Sequence, residues 1–291
     1  MMKFKSKLIG LAASAALLAA PLSQAATSVW KVSKGDDYIY VGGTVHILPQ
    51  SEFPLPEAFD KAYQSTQSIV LEADLPADDD VQAQVAMMQR VSYSDGRTLK
   101  SVLDDNAYQA LAQYLAGFGA NVEMVNNFKP GMVSTMMTVM EAQKAQMGDK
   151  GVDAYYDKLA SKDQKLAEYL ETVEFQLDMI AGLGEGYESK FVTMAIEQVS
   201  DFKPMMTSLI QAWRKGDAKT MVELVHEPVL AEDPTMYKAV FTDRNLNWIP
   251  KLEGLFGDQD KEFVLVGVGH LVGKDNVLSL LTNKGYKVEQ L

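Results

Sequence analysis

Cysteine is absent from all 291 residues. That excludes thiolate metal sites, cysteine nucleophiles and disulfides, so the fold must be stable on packing alone. Histidine is nearly absent, with three in the whole chain. Positive charge is short too: 27 lysines and arginines stand against 39 aspartates and glutamates. An acidic surface repels nucleic acid and anionic lipid, and both are poor partners here. The chain lacks a Gly-x-Ser-x-Gly elbow, a phosphate-binding P-loop and a dinucleotide fingerprint. The "GLGEG" at Gly182–Gly186 has no strand before it and reads as a loop. No apolar run reaches the roughly 20 residues that a membrane span needs.

The longest apolar run, "LIGLAASAALLAA", has 13 residues and follows "MMKFKSK" with its three lysines. "PLSQA" then places Ser23 and Ala25 where a signal peptidase reads small residues. We expect a signal peptide over 1–25 and a mature domain over 26–291, exported to the periplasm or secreted. Loss of the three lysines takes the formal charge from −12 to −15. The mature chain should have no membrane span.

Two β-rich runs, "SVWKV" and "YIYVGGTVH", flank a Gly-Asp turn and predict a hairpin. "SIVLEADL" is a buried strand, "QKLAEYLET" a strand, "FVLVGVGHL" the last buried strand, and "YKVEQL" a closing strand. "DDDVQAQVAMMQRV" and "DDNAYQALAQYLAGFG" are helices opened by aspartates. From Val173 to about Gly257 the pattern is helical. The expected fold is α/β: a central sheet built from the N- and C-terminal halves, with a helical middle region packed on it.

One short echo stands out. "GTVH" at Gly43–His46 and "GVGH" at Gly267–His270 each follow an apolar strand, and each histidine precedes an aliphatic residue. Glycine permits close backbone approach, and the histidine then projects at the carboxyl end of a strand, where open α/β sheets bind ligands. Two of only three histidines placed this way predict one shared site. Two imidazoles need a carboxylate to make a charged, open metal site. Glu72, in the apolar strand, is one source; its plainer reading is a salt bridge at the strand end. Asp74 has the same parity and should be peripheral. Glu171, at a strand-to-helix junction, is either a second site carboxylate or a helix cap. Arg244 either orients a carboxylate, steadies a developing oxyanion, or makes a surface salt bridge. His226 lacks the second histidine of a zincin helix and reads as surface or structural. The Met132, Met136, Met137 and Met140 stripe reads as core.

These pieces resemble the TraB/GumN family, which includes the Tiki proteins. The likeness runs from about Val29 to Leu291. It rests on both Gly-x-x-His motifs, "VLEADL" with Glu72, and "LETVEFQ" from Leu170 to Gln176. "KP" at Lys129-Pro130, "GVD" at Gly151–Asp153, "AWRKGD", "RNLNW" and "GHLVG…GYKV" also match. Gly131 departs from a position often held by tryptophan. The resemblance implies a hydrolase fold related to the erythromycin esterase-like and ChaN-like proteins. It also implies a divalent metal ion, manganese or cobalt by preference with zinc possible, and a peptide or exported protein as substrate. His46, His270 and Glu72 would hold the metal. Glu72, Glu171 and Arg244 would carry the chemistry, with either glutamate free to be ligand or base. The competing class is a non-catalytic periplasmic haem- or metal-binding protein using the same histidines.

Overall fold

The computed structural model of the chain describes residues 26–74, 76, 79–148, 150–257 and 259–291. The expected signal peptide lies outside these residues. The hairpin forms as expected: β1 (Val29–Lys34) pairs antiparallel with β2 (Asp37–Thr44). Gly35 in the turn has φ +64°, a left-handed conformation that glycine adopts without strain.

Four further strands complete one sheet: β3 (Ser68–Leu71), β4 (Leu166–Tyr169), β5 (Glu262–Gly267) and β6 (Lys287–Gln290). Their order is β4-β3-β5-β2-β1-β6. The first four strands in that order run parallel; β1 is antiparallel to both of its neighbours. The C-terminal β5 thus lies between two N-terminal strands. It is buried on both faces, which is why its sequence is a continuous apolar run rather than an alternation.

Helices cover both faces. On one, Phe59, Tyr156 and Trp213 close over Phe263 of β5. Phe263 is fully buried, a burial that contributes roughly 3 kcal/mol. On the other face, Trp248, Ile249 and Leu252 of helix Asp243–Gly254 meet Val264 and Val266, together with Val277 and Leu281 of helix Val277–Asn283. A separate helical core joins Leu111, Leu115, Val133 and Phe191 to Met137, the fully buried member of the methionine stripe. Asp80 and Asp104 cap the helices they precede, accepting from the Ala83 and Ala107 amides.

Two details differ from the sequence reading. β3 ends at Leu71, so Glu72 lies just beyond the strand rather than within it. His270 sits in a 3₁₀ turn, Val268–Leu271, that follows β5. The helical middle contains two π-helical turns, Val222–His226 and Lys238–Thr242. Among the described residues no helix is long and apolar enough to cross a membrane.

Candidate active site

Each of the four adjacent parallel strands delivers one polar residue just past its carboxyl end. β2 leads to His46, β3 to Glu72, β4 to Glu171 and β5 to His270. The sheet register therefore brings together residues far apart in sequence. Gly267 lies at their meeting point. A Cβ built there would stand 3.3 Å from both Glu72 Oε1 and His46 Nε2, and 3.7 Å from His270 Cδ2. His46 Nε2 and His270 Cδ2 are thus at most about 7 Å apart, the sum of two of those distances. The Gly267 amide donates to Glu72 Oε1 at 2.7 Å. Any side chain at Gly267 would crowd these three groups.

The buried half of the site is organised by Arg244, whose side chain is 5% exposed. Its Nε donates to Glu171 Oε1 at 3.0 Å, and its NH2 group to Glu72 Oε2 at 2.5 Å and Glu171 Oε2 at 2.8 Å. Its NH1 group faces His270 Nε2 at 3.0 Å and Val240 O at 3.4 Å. All five guanidinium hydrogens are engaged. Gln176 Nε2 bridges the two glutamates at 3.2 Å to each. Trp248 Nε1 donates to Glu171 Oε1 at 2.8 Å, and Asn245 Oδ1 lies 2.6 Å from His270 Nδ1. Residues 244, 245 and 248 occupy one helical turn, so a single turn of helix Asp243–Gly254 grips Glu171 and His270 together. Asn245 Nδ2 donates to the Asp275 carbonyl, which fixes its amide with the oxygen toward His270. His270 therefore carries its hydrogen on Nδ1 and accepts from Arg244 at Nε2.

These surroundings set the charges. Burial is the largest single influence on the Glu72 carboxyl and raises it, but the Arg244 charge, the two imidazoles and the Gly267 amide together outweigh it and hold the carboxyl down to about 2. Burial drives His270 down to about 3; Arg244 and His46 add to the fall and Glu72 opposes it. His270 is neutral and Glu72 ionised at neutral pH.

His46 is the exposed member, its side chain about 60% accessible. Its Nδ1 lies 3.1 Å from Asp153 Oδ2, leaving Nε2 turned toward Gly267. Asp153 reaches it because helix Val152–Asp163 starts against the His46 backbone. A Cβ on Gly151 would fall 2.0 Å from the Val45 carbonyl, so only glycine permits that approach. The Asp153 charge raises His46 to about 9. Asp74 stays outside this cluster, exposed beside Tyr169.

The model of the TraB/PrgY/gumN family matches residues 28–290. The chain belongs to this family. The comparisons with curated proteins and with solved structures gave no match. The family match spans both Gly-x-x-His motifs and all six strands.

The structure gathers His46, His270, Glu72, Glu171 and Arg244 in one place. The plainer reading of Arg244 as a surface residue does not hold, because the sheet ends bury it between two carboxylates. Four neighbours escaped the sequence reasoning as site residues: Asp153, Gln176, Asn245 and Trp248. The first two lay within motifs shared with the family, and the spacing of "RNLNW" put Arg244, Asn245 and Trp248 on one turn.

As they stand, these residues do not offer an ion a ready shell. The lone pair that His270 would give a metal accepts from Arg244 instead, and Glu72 Oε2 is shared between Arg244 and Gln176. Among the described residues, no three histidine, aspartate or glutamate side chains are grouped to hold a metal. The guanidinium is the cation at the centre of the site. Beside it, a cleft of about 670 Å³ between helices Val81–Arg90 and Val173–Gly182 is lined by Glu171, Thr172, Tyr169 and Arg90.

Proposed function

We propose that this family member is an exported hydrolase that cleaves a peptide bond with a water activated by His46. The observation that carries this reading is the pairing of His46 Nδ1 with Asp153 while its Nε2 is left open toward the buried Glu72–Arg244 cluster. Elimination points the same way. Glu72, at about 2, is too weak a base to take a proton from water near neutrality. His270 has committed its Nε2 to Arg244. The neutral form of His46, which becomes the major one only as pH approaches 9, takes the proton at Nε2, and Asp153 steadies the imidazolium that forms, as the acid does in any Asp–His pair. The imidazolium then returns the proton to the leaving amine. Arg244 has no free hydrogen for an oxyanion; its role is to keep Glu72 ionised and His270 neutral.

A divalent ion, as the resemblance implies, is the competing cation. It would require Arg244 to release His270 Nε2. The two accounts separate in one experiment. Residues 26–291, purified without metal-affinity resin, are screened on an unbiased peptide library with chelator and with added manganese, cobalt or zinc. Cleavage that survives chelation and is lost in His46→Gln supports the proposal. Cleavage that appears only with metal replaces it by metal-activated water. No cleavage, with stoichiometric metal or haem retained, replaces it by a binding protein.

A further inference from the structure

The third histidine belongs to neither motif, yet it is buried, at 3% exposure. His226 ends the first π turn, and both of its ring nitrogens are used. Its Nε2–H donates to the Gly269 carbonyl at 2.8 Å, and its Nδ1 accepts from the Tyr237 hydroxyl at 2.9 Å. The ring stacks on Phe241 of the second π turn, at 4.6 Å between centroids and 18° between planes. Phe241 in turn lies 5.4 Å from the His270 ring. The backbone that carries His270 is pressed onto these rings. A Cβ on Gly269 would sit 2.8 Å from Phe241, and one on Gly273 would sit 2.7 Å from His226 Nδ1. Each π turn widens the helix by one residue and so shifts the angular position of what it presents. Here both present an aromatic ring to the same short loop.

We infer that His226 is a positioning residue, holding the Gly269 carbonyl and thereby fixing the direction in which His270 points. The residue is one peptide unit from His270 through that hydrogen bond, and no other side chain donates to the Gly269 carbonyl among the described contacts. The inference rests on the proposed function only in treating His270 as part of the site.

Three histidines make the test direct, because imidazole ¹H–¹⁵N spectra of the mature protein contain three spin systems. The reporter is the His270 Nδ1–H, sheltered by Asn245. His226→Phe keeps an aromatic ring but loses both hydrogen bonds, whereas His226→Gln keeps a donor at the Nε2 position. Loss of one buried hydrogen bond should speed exchange of that proton about tenfold in His226→Phe, while His226→Gln stays within about twofold of the parent. His46 signals should not move in either. Unchanged exchange in a folded His226→Phe protein, or equal exchange in the two variants, overturns the inference. If His226→Phe does not fold, His226→Asn is read in its place: its short side chain keeps a polar group near the Nδ1 position but no donor at the Nε2 position, and faster His270 exchange is expected, with unchanged exchange overturning the inference. No substrate is involved, so failure of the hydrolase reading leaves this result standing.

Discussion

The two Gly-x-x-His motifs share a pattern and end in opposite environments. His46 is exposed, faces a carboxylate and is raised to about 9; His270 is buried, faces a guanidinium and is lowered to about 3. Each sits past the end of a parallel strand, and β2 and β5 are direct neighbours. The difference comes entirely from what packs on top: the start of helix Val152–Asp163 over one, the Arg244–Trp248 turn over the other. A repeated motif therefore fixes where a side chain stands, while its protonation is set by unrelated parts of the chain. One strand pair thus supplies an imidazole that is charged below about 9 and another that stays neutral down to about 3.

The largest effect should come from removing the cation on the buried side. Arg244→Met leaves Glu72 and Glu171 buried without their partner. Breaking a buried ion pair in this way costs about 3–5 kcal/mol, read as a lower urea midpoint, and activity should vanish with it. If stability is unchanged, the guanidinium does not organise the cluster.

The next test compares the histidines themselves. Above pH 9, where the ring is neutral and its ion pair with Asp153 is gone, His46→Gln should change stability by less than about 0.5 kcal/mol, as exposed positions do, yet lower kcat about 10²–10⁴-fold if the imidazole is the base. His270→Ala should instead cost about 1–3 kcal/mol, because Asn245 and Arg244 lose a buried partner. Equal stability losses in the two variants would remove the contrast.

Much of this architecture was legible beforehand. Strands at both ends of the chain, the helical middle, and the meeting of His46 with His270 all follow from apolar runs and a repeated tetrapeptide. The opposite protonation of the two histidines did not, since "GTVH" and "GVGH" carry no trace of their coverings. Asp153 was hidden for the same reason: it lies 107 positions from His46, and its reach depends on Gly151 fitting against a backbone carbonyl. Arg244 was a candidate through the family resemblance, while its place on a helix that also carries outward charge left a surface salt bridge open.

A smaller effect concerns pH. kcat/KM should rise with pH and level off as His46 loses its proton near 9; solvent around the exposed ring screens some of the pull from Asp153. Asp153→Asn removes the main cause of the raised value, so the inflection should move down toward 6.5, the ordinary value for histidine. An inflection that stays put in this variant would separate the rate from the pair.

The smallest effect is on stability across pH, where the two histidines act with opposite sign. The contribution of His46 is whole below 6.5 and is lost as pH rises through 9. That of His270 is whole above 6.5 and is lost as pH falls toward 3. Glu72, at about 2 against an ordinary 4.5, adds to the acid loss below 4.5. Urea midpoints between pH 3 and 10 should fall on both sides, with His270→Gln flattening the acid limb between 6.5 and 3. An acid limb identical in that variant would assign the loss to Glu72 alone.

The position of β5 between β3 and β2 has a consequence in time. Ribosomes deliver residues in order, so the strand that joins the two parts of the sheet is among the last to emerge. Until Glu262–Gly267 arrives, β3 and β2 have no common neighbour, and His46 waits without Gly267 or His270. A chain still being synthesised holds its first histidine and both glutamates before the strand that joins them exists. The topology completes the site only when nearly the whole polypeptide has been made.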